Sequence, residues 1–477
     1  MRIHLPILLF LLCVVPGICP DMYLNAKTTI KGHIQGIDGK PYGNTALKVE
    51  ISGDFITYDK TTLVKGKSGK HGDFNVEIDL AKTSYIFVTF GGVQRTFHAE
   101  PNKSYYLDIK VPTEGLSNKE RTFSKNISSA NIINTHKKEL NYLIDTLDYA
   151  CSKFLRSNIT ERKDEKRVAL FIETLLLEFE SVKSQYFKDY LHFKEAELML
   201  YCYRDKRSEF ALKYFGKEKN IASHIQKMHV FSSFFKGNLR FNILINDRSP
   251  FHDKFNAGDL QSCLQLIHGA RGCSRELREL LLLQGIYEVH SQEYYKLRKV
   301  VTILDKLIAT SGFPAHRVIA AHIKSHITHL KESYPAPALD VTGVQGQFKL
   351  GLNKQKYLYL CFFNAWDDSF DKEVEIMEML KDKYKGQLDI VCVSVDQDTT
   401  KFGELKRKYN NDILFIHYNF QNEVLFDFNI EEFRLDRYDK ESVAKFYLID
   451  PEGYLVFSPA KPPTRGFHKD LQRIMAQ

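Results

Sequence analysis

The sequence predicts a multidomain protein in which three structural classes follow one another: an N-terminal β-sandwich, a central all-α helical domain and a C-terminal α/β domain. Three observations carry this. Residues 27–112 hold segments that alternate apolar with polar side chains, residues 131–334 hold apolar stripes at helical spacing, and Tyr357-Leu-Tyr-Leu-Cys-Phe-Phe-Asn-Ala-Trp366 is a continuous apolar strand that runs into a helix at the only tryptophan. A chain of 477 residues is long enough for about three domains, each with its own core.

The N-terminus reads as an export signal over residues 1–19. Met1-Arg-Ile-His precedes the apolar run Leu5–Val15, followed by Pro16-Gly17, and the run is too short for a membrane span. Cleavage after Gly17 or after Cys19 both fit. A lipoprotein alternative would lipidate Cys13 or Cys19, although Ile18 stands where a small residue normally precedes the modified cysteine. No later segment approaches the length of a transmembrane helix, so the expected location is the periplasm or cell envelope, either free or lipid-anchored.

Within 27–112, the segments Thr29–Gln35, Ala46–Ser52, Asp73–Asp79, Ser84–Phe90 and Tyr105–Lys110 alternate and are separated by Gly, Asp and Asn turns, the pattern of a half-buried antiparallel sandwich. Residues 113–130, rich in Ser, Asn, Lys and Thr, read as a linker. The helical domain follows. Leu140, Leu143, Leu147, Cys151 and Phe154 form one stripe and Val168, Phe171, Leu175, Phe179, Val182 and Tyr186 another, with more through Phe193–Tyr214 and Leu277–Ile308, as in a bundle or helix-hairpin array.

One metal candidate lies in this domain. His322, His326 and His329 stand at i, i+4 and i+7, a spacing that can gather imidazoles around zinc or copper. No carboxylate or cysteine completes the set locally, and the apolar face through Ile319, Ile323, Ile327 and Leu330 makes the histidines a flanking polar stripe. The expectation is therefore no metal and no cofactor. No phosphate-cradling Gly loop, Gly-X-Ser-X-Gly elbow or His-Glu-X-X-His motif appears, and the 34 Phe and 25 Tyr fit cores better than a ligand box.

Residues 335–477 carry the most specific signal. Ala336-Pro-Ala-Leu-Asp-Val341 leads into Gly346–Leu350 as a hairpin arm; Tyr357–Phe363 is followed by Trp366-Asp-Asp-Ser-Phe370; Leu388–Asp396 is a second continuous apolar strand, as covered parallel strands are; Phe446-Tyr-Leu-Ile-Asp-Pro-Glu-Gly453 is a terminal hairpin. In order and content these segments resemble the thioredoxin-like domain of the TlpA-like thiol-disulfide oxidoreductases of bacterial envelopes. The resemblance covers about the last third of the chain. It implies a Trp-Cys-X-X-Cys motif at 366–370, but the cysteine positions hold Asp367 and Phe370; it implies a cis-proline before the last hairpin, but that position holds Ala444. Thiol exchange requires a thiolate at a helix N-terminus and a second thiol three residues on. Neither side chain here supplies one, which marks a degenerate site. Asp367 and Asp368 at a helix start read as capping carboxylates, worth about 1 kcal/mol.

Between Phe428-Asn-Ile430 and Ala444 the chain inserts Glu431–Ser442. It reads either as a solvated loop or as a lid or partner-binding loop anchored by Phe433, Leu435 and Tyr438. Eight cysteines include two in the signal region, and no Cys-X-X-Cys occurs; Cys361 and Cys392 fall inside buried strands and read as small core residues. The net charge of +8 is spread along the chain without a basic block, which argues against nucleic-acid binding. The expected function is a redox-inactive binding or scaffold module for a protein or peptide partner. The alternative is a thiol-disulfide oxidoreductase or peroxidase that uses an unconventional cysteine.

Overall fold

The structure is a computed structural model that describes residues 26–36, 38–90, 93–111, 129–157, 164–200, 202, 206–237, 250–267, 274–290, 295–338, 340–343, 346–349, 355–395, 399–409, 413–417, 428 and 444–476. Residues 1–19, expected to be an export signal, Cys273 and the 431–442 insertion with Phe433, Leu435 and Tyr438 lie outside the described residues. The chain divides into two compact units, Met1–His322 and Ile323–Gln477. No helix among the described residues is long and apolar enough to cross a membrane.

In the first unit, alternating apolar residues build two four-stranded sheets. One has the order β4-β1-β7-β8, from β1 (Ala26–Gly36), β4 (Asp73–Leu80), β7 (Ser104–Val111) and β8 (Ser129–Ile132). The other has the order β3-β2-β5-β6, from β2 (Ala46–Ile51), β3 (Thr61–Lys67), β5 (Ser84–Phe90) and β6 (Val93–Ala99). Period-two alternation sends Ile30, Ile34, Leu107 and Ile109 from the first sheet and Val49, Ile86, Val88 and Phe90 from the second into one core. Two sequence expectations are corrected. The sandwich is not wholly antiparallel, because β1 and β7 pair in parallel; of the strands between them in sequence, β2, β3, β5 and β6 lie in the other sheet and only β4 returns to this one, antiparallel to β1 on its other side. Gly32 permits the close approach: a Cβ there would lie 2.0 Å from the carbonyl oxygen of Leu107. Further, Ser129 and Ala130, expected in the linker, belong to β8, which pairs antiparallel with β7.

The helices of this unit are α1 (Leu140–Ser157), α2 (Glu165–Glu178), α3 (Gln185–Met199), α4 (Arg207–Phe215), α5 (Ile225–Phe235), α6 (Pro250–Asn256), α7 (Leu260–Leu266), α8 (Arg275–Val289), α9 (Leu297–Thr310) and α10 (Pro314–Thr328), whose last residues fall in the second unit. Their starts follow capping chemistry. Asp164 accepts from the N–H groups of Lys166 and Arg167, Ser184 from Phe187 and Ser274 from Leu277. The expected stripe of α1 is buried at Leu140, Leu143, Leu147 and Cys151, and Phe154 stacks on Phe171 at 4.1 Å. Sandwich and helices form one compact unit, with α1 tied to the edge of β6: Asn141 accepts from the His98 N–H at 2.8 Å and donates to the His98 carbonyl at 2.9 Å.

The second unit begins earlier than residue 335. Leu330 is buried among Leu358, Leu360 and Phe362, and the Ser333 N–H donates to the Leu455 carbonyl at 2.7 Å. A hairpin of β9 (Asp340–Gly343) and β10 (Gly346–Lys349) precedes a five-stranded sheet of order β13-β12-β11-β14-β15. Its strands are β11 (Tyr357–Phe363), β12 (Leu388–Ser394), β13 (Leu414–His417), β14 (Lys445–Ile449) and β15 (Leu455–Ala460), interspersed with α11 (Phe370–Lys383), α12 (Thr399–Lys408) and a terminal α13 (Phe467–Met475). β11, β12 and β13 run parallel; β14 is antiparallel to β11 and forms a hairpin with β15. β11 is continuously apolar because both of its faces are covered. Tyr359, Cys361 and Phe363 join a core with Val374, Met377 and Phe467, whereas Leu358, Leu360 and Phe362 join another with Phe428 and Tyr447. The tight end of the β14–β15 hairpin uses Gly453 at φ 92°, with the Tyr454 N–H donating to Asp450 at 2.7 Å.

Candidate functional site: the junction of β11 and α11

The C-terminal end of β11 is where the fold presents side chains for chemistry, since α11 starts there and its first N–H groups point outward. Asn364 and Ala365 are buried, and Trp366 emerges with 52% of its surface exposed. Register places Lys445 opposite Phe362, so Ala444, one residue earlier, comes to the same end of β11 from the neighbouring strand. The four positions 366, 367, 370 and 444 thus share one end of the sheet. The peptide bond before Ala444 involves a residue outside the described set.

Asp367 forms the turn before the helix, whose N-cap position is Ser369 without a side-chain cap bond, which corrects the expected capping carboxylate. Its Oδ1 accepts from the Ser369 N–H at 3.0 Å and the Ser369 hydroxyl at 2.6 Å, while its carbonyl receives the Phe370 N–H at 3.0 Å. Asp371 and Glu373 occupy the first turn; Asp371 pairs with Lys408 at 2.6 Å and Glu373 accepts from the Thr464 N–H at 2.9 Å. The dipole end that would favour a thiolate is therefore filled by carboxylates. Phe370 is the structural departure. Expected on the rim of a binding face, it is 2% exposed, and its ring stacks on Phe363 at 4.1 Å and 9°. The place of the second thiol is part of the core.

Four of the described cysteines have raised thiols. Burial pushes the Cys151 and Cys263 thiols up to about 12 and raises Cys202. Cys361 is raised well above the usual thiol range, first by burial and then by Cys392, its register partner on the adjacent strand. A raised thiol is a poor nucleophile at neutral pH.

The histidine stripe is also placed. His322 turns its Nδ1 to Asp54 at 3.0 Å, with Asp59 at 3.8 Å, and Asp54 is buried, accepting from the N–H groups of Ile56 and Thr57. His326 and His329 are exposed. Among the described residues no three His, Cys, Asp or Glu side chains come together as a metal-ligand set.

No family model matches this chain. No curated protein matches it either. Solved structures do. The thioredoxin domain of a thiol-disulfide oxidoreductase from Bacteroides vulgatus is similar over 30% of this chain and 96% of its own, at 18% identity and a TM-score of 0.24. A thiol:disulfide interchange protein from Bacteroides sp. is similar over 30% of this chain and 90% of its own, at 18% identity and 0.25. A thioredoxin-like protein from Bacteroides caccae is similar over 52% of this chain and 93% of its own, at 11% identity and 0.25. These likenesses assign no residue a role, and the chemistry rests on the side chains above.

Sequence reasoning missed a second site, in the first unit. A cleft of about 280 Å³ lies where β5 and β6 meet α1, α3 and α5. Its residues are scattered from Tyr85 to His229, so no local motif announces it. His98 and Asn141 form part of its floor; Arg95 and Tyr85 line it from the sheet, Asp145 and Asp148 from α1.

Proposed function

We propose that the protein is exported to the cell envelope, either free or lipid-anchored, and that its C-terminal domain is a redox-inactive member of the thioredoxin-like class that binds a protein or peptide partner. The observation that carries this reading is Phe370 stacked in the core at the position of the resolving thiol. Together with Asp367 at the other thiol position, held to Ser369, it leaves the junction able to support a surface and unable to exchange a disulfide. The partner face would be formed by Trp366 and Asp367 with the 431–442 insertion and its Phe433, Leu435 and Tyr438, and Phe370 supports that face from below. Half-exposed tryptophan at the end of a rigid strand is a suitable contact residue, since aromatic anchors dominate binding energy. The raised thiols of Cys151, Cys202, Cys263 and Cys361 count against the alternative of an unconventional catalytic cysteine.

Trp366 is the only tryptophan, so its fluorescence reports this face directly. Titration with a reduced, carboxymethylated unfolded protein is expected to shift its emission, and Trp366→Ala is expected to weaken binding at least tenfold by calorimetry. Binding that is unaffected by Trp366→Ala would place the partner surface elsewhere.

A further inference from the structure

The cleft of the first unit is built rather than incidental. Its floor is locked: His98 is fixed through its backbone by Asn141 and through Nδ1 by the Tyr186 hydroxyl at 2.9 Å. Its tyrosines are preorientated by internal partners, Tyr85 by Thr96 at 2.7 Å and Tyr190 by Asp148 at 2.9 Å. Two buried polar atoms of the lining make no hydrogen bond, and one of them, Asp148 Oδ1, is ion-paired with Lys194 at 3.0 Å. The other, the Nε of Arg95, is buried and makes no hydrogen bond, although an unpaired buried donor carries a desolvation cost of about 1–3 kcal/mol. From α1, Asp145 brings the opposite charge to the same cleft, its carboxyl raised by desolvation and only partly lowered again by Arg95. Phe97 and Ile144 add an apolar wall.

We propose that this cleft binds a small zwitterion, a free α-amino acid or a dipeptide, with Arg95 receiving its carboxylate and Asp145 its ammonium group. A purely anionic ligand would be repelled by Asp145 and a purely cationic one by Arg95. A neutral polyol would bring neither a carboxylate to the buried guanidinium donor nor an ammonium group to Asp145, and so would gain no charge-assisted bond. A zwitterion satisfies the guanidinium donor with a charge-assisted bond and neutralises the carboxylate in one binding event. The volume of about 280 Å³ is at the small end of ligand sites and suits a molecule of this size. Fixed side chains on the floor keep the ordering cost of binding low.

The test is isothermal titration of the full mature protein with L-leucine, L-glutamine and glycyl-L-leucine at millimolar concentration, alongside isoamylamine, 4-methylpentanoate and D-glucose. At least one zwitterion is expected to bind at least tenfold more tightly than the amine, the carboxylate and the sugar, and to raise the unfolding temperature. Arg95→Gln and Asp145→Asn are each expected to weaken that binding at least tenfold while leaving the unliganded unfolding temperature close to wild type. Should Arg95→Gln not fold, Arg95→Lys, which keeps the charge and lacks the guanidinium Nε, is expected to show the same loss. Failure of all three zwitterions to bind, equal binding of glucose or of a single-charge probe, or undiminished binding by folded Arg95 and Asp145 variants would each overturn the proposal.

Discussion

The junction at 364–370 and the cleft around Arg95 are opposites. The junction has a recognisable pattern in the sequence and, in the proposed reading, no redox chemistry: at 367 stands a carboxylate that bonds the Ser369 N–H and hydroxyl, and at 370 a phenyl ring stacked into the core. The cleft has no address in the sequence, yet it holds a buried guanidinium donor without a partner. A motif's position thus reports how the backbone runs, while the capacity for chemistry depends on which polar groups are left unsatisfied.

The contrast is broken most severely at Phe370. If its ring is a core element, Phe370→Ala should destabilise the protein by about 3–5 kcal/mol through lost burial and a cavity against Phe363. Urea unfolding measures this, and a loss below about 1 kcal/mol would return Phe370 to the surface.

The cleft floor makes a pH prediction. Burial, reinforced by His224, holds His98 down at about 3 from an ordinary 6.5, and burial holds His224 down at about 4. The folded state therefore binds fewer protons than the unfolded state between those values and 6.5, so the stability is present above 6.5 and declines as pH falls. From pH 7 to pH 5 each histidine should cost on the order of 2 kcal/mol. Carboxylates contribute below that window. Burial alone would raise Glu197 and Glu279, but hydrogen bonds from His229 and Lys194 to the first, and from His316, Ser311 and Arg275 to the second, hold both at about 2. Their stabilisation is lost as pH falls from 4.5 towards 2. Urea midpoints at pH 7 and pH 5 should show the decline, and His98→Phe should roughly halve it. An unchanged slope in that variant would mean that His98 is solvated.

The smallest effect belongs to the turn before α11. Asp367→Ala, which removes its two bonds to Ser369, should cost about 1 kcal/mol, and Asp367→Asn, which keeps an acceptor, less. Loss of partner binding in the Asn variant at unchanged stability would show that the carboxylate itself is recognised.

Sequence patterning conveyed most of the strand and helix positions and little of their pairing. β11 and β12 were legible because covered parallel strands are apolar throughout, and the β14–β15 hairpin because Asp450-Pro-Glu-Gly453 is a turn. β3 was not, since Thr61–Lys67 lies at a sheet edge with few buried side chains, and alternation cannot state that β1 and β7 run parallel. Alignment to a redox motif obscured Phe370, although Phe370, Val374 and Met377 at i, i+4 and i+7 form a helix's buried face. Arg95 and Asp145 meet only because Asn141 pins α1 against β6, a contact that no local period encodes.

The proposal that the 364–370 junction carries no redox chemistry is tested most directly by insulin reduction with the purified protein, paired with timed alkylation and mass mapping of its cysteines at neutral pH. No turnover above a control without protein is expected, and no labelling of Cys151, Cys202, Cys263, Cys361 or Cys392 faster than free cysteine. Turnover abolished by replacing one rapidly alkylated cysteine with serine would contradict it.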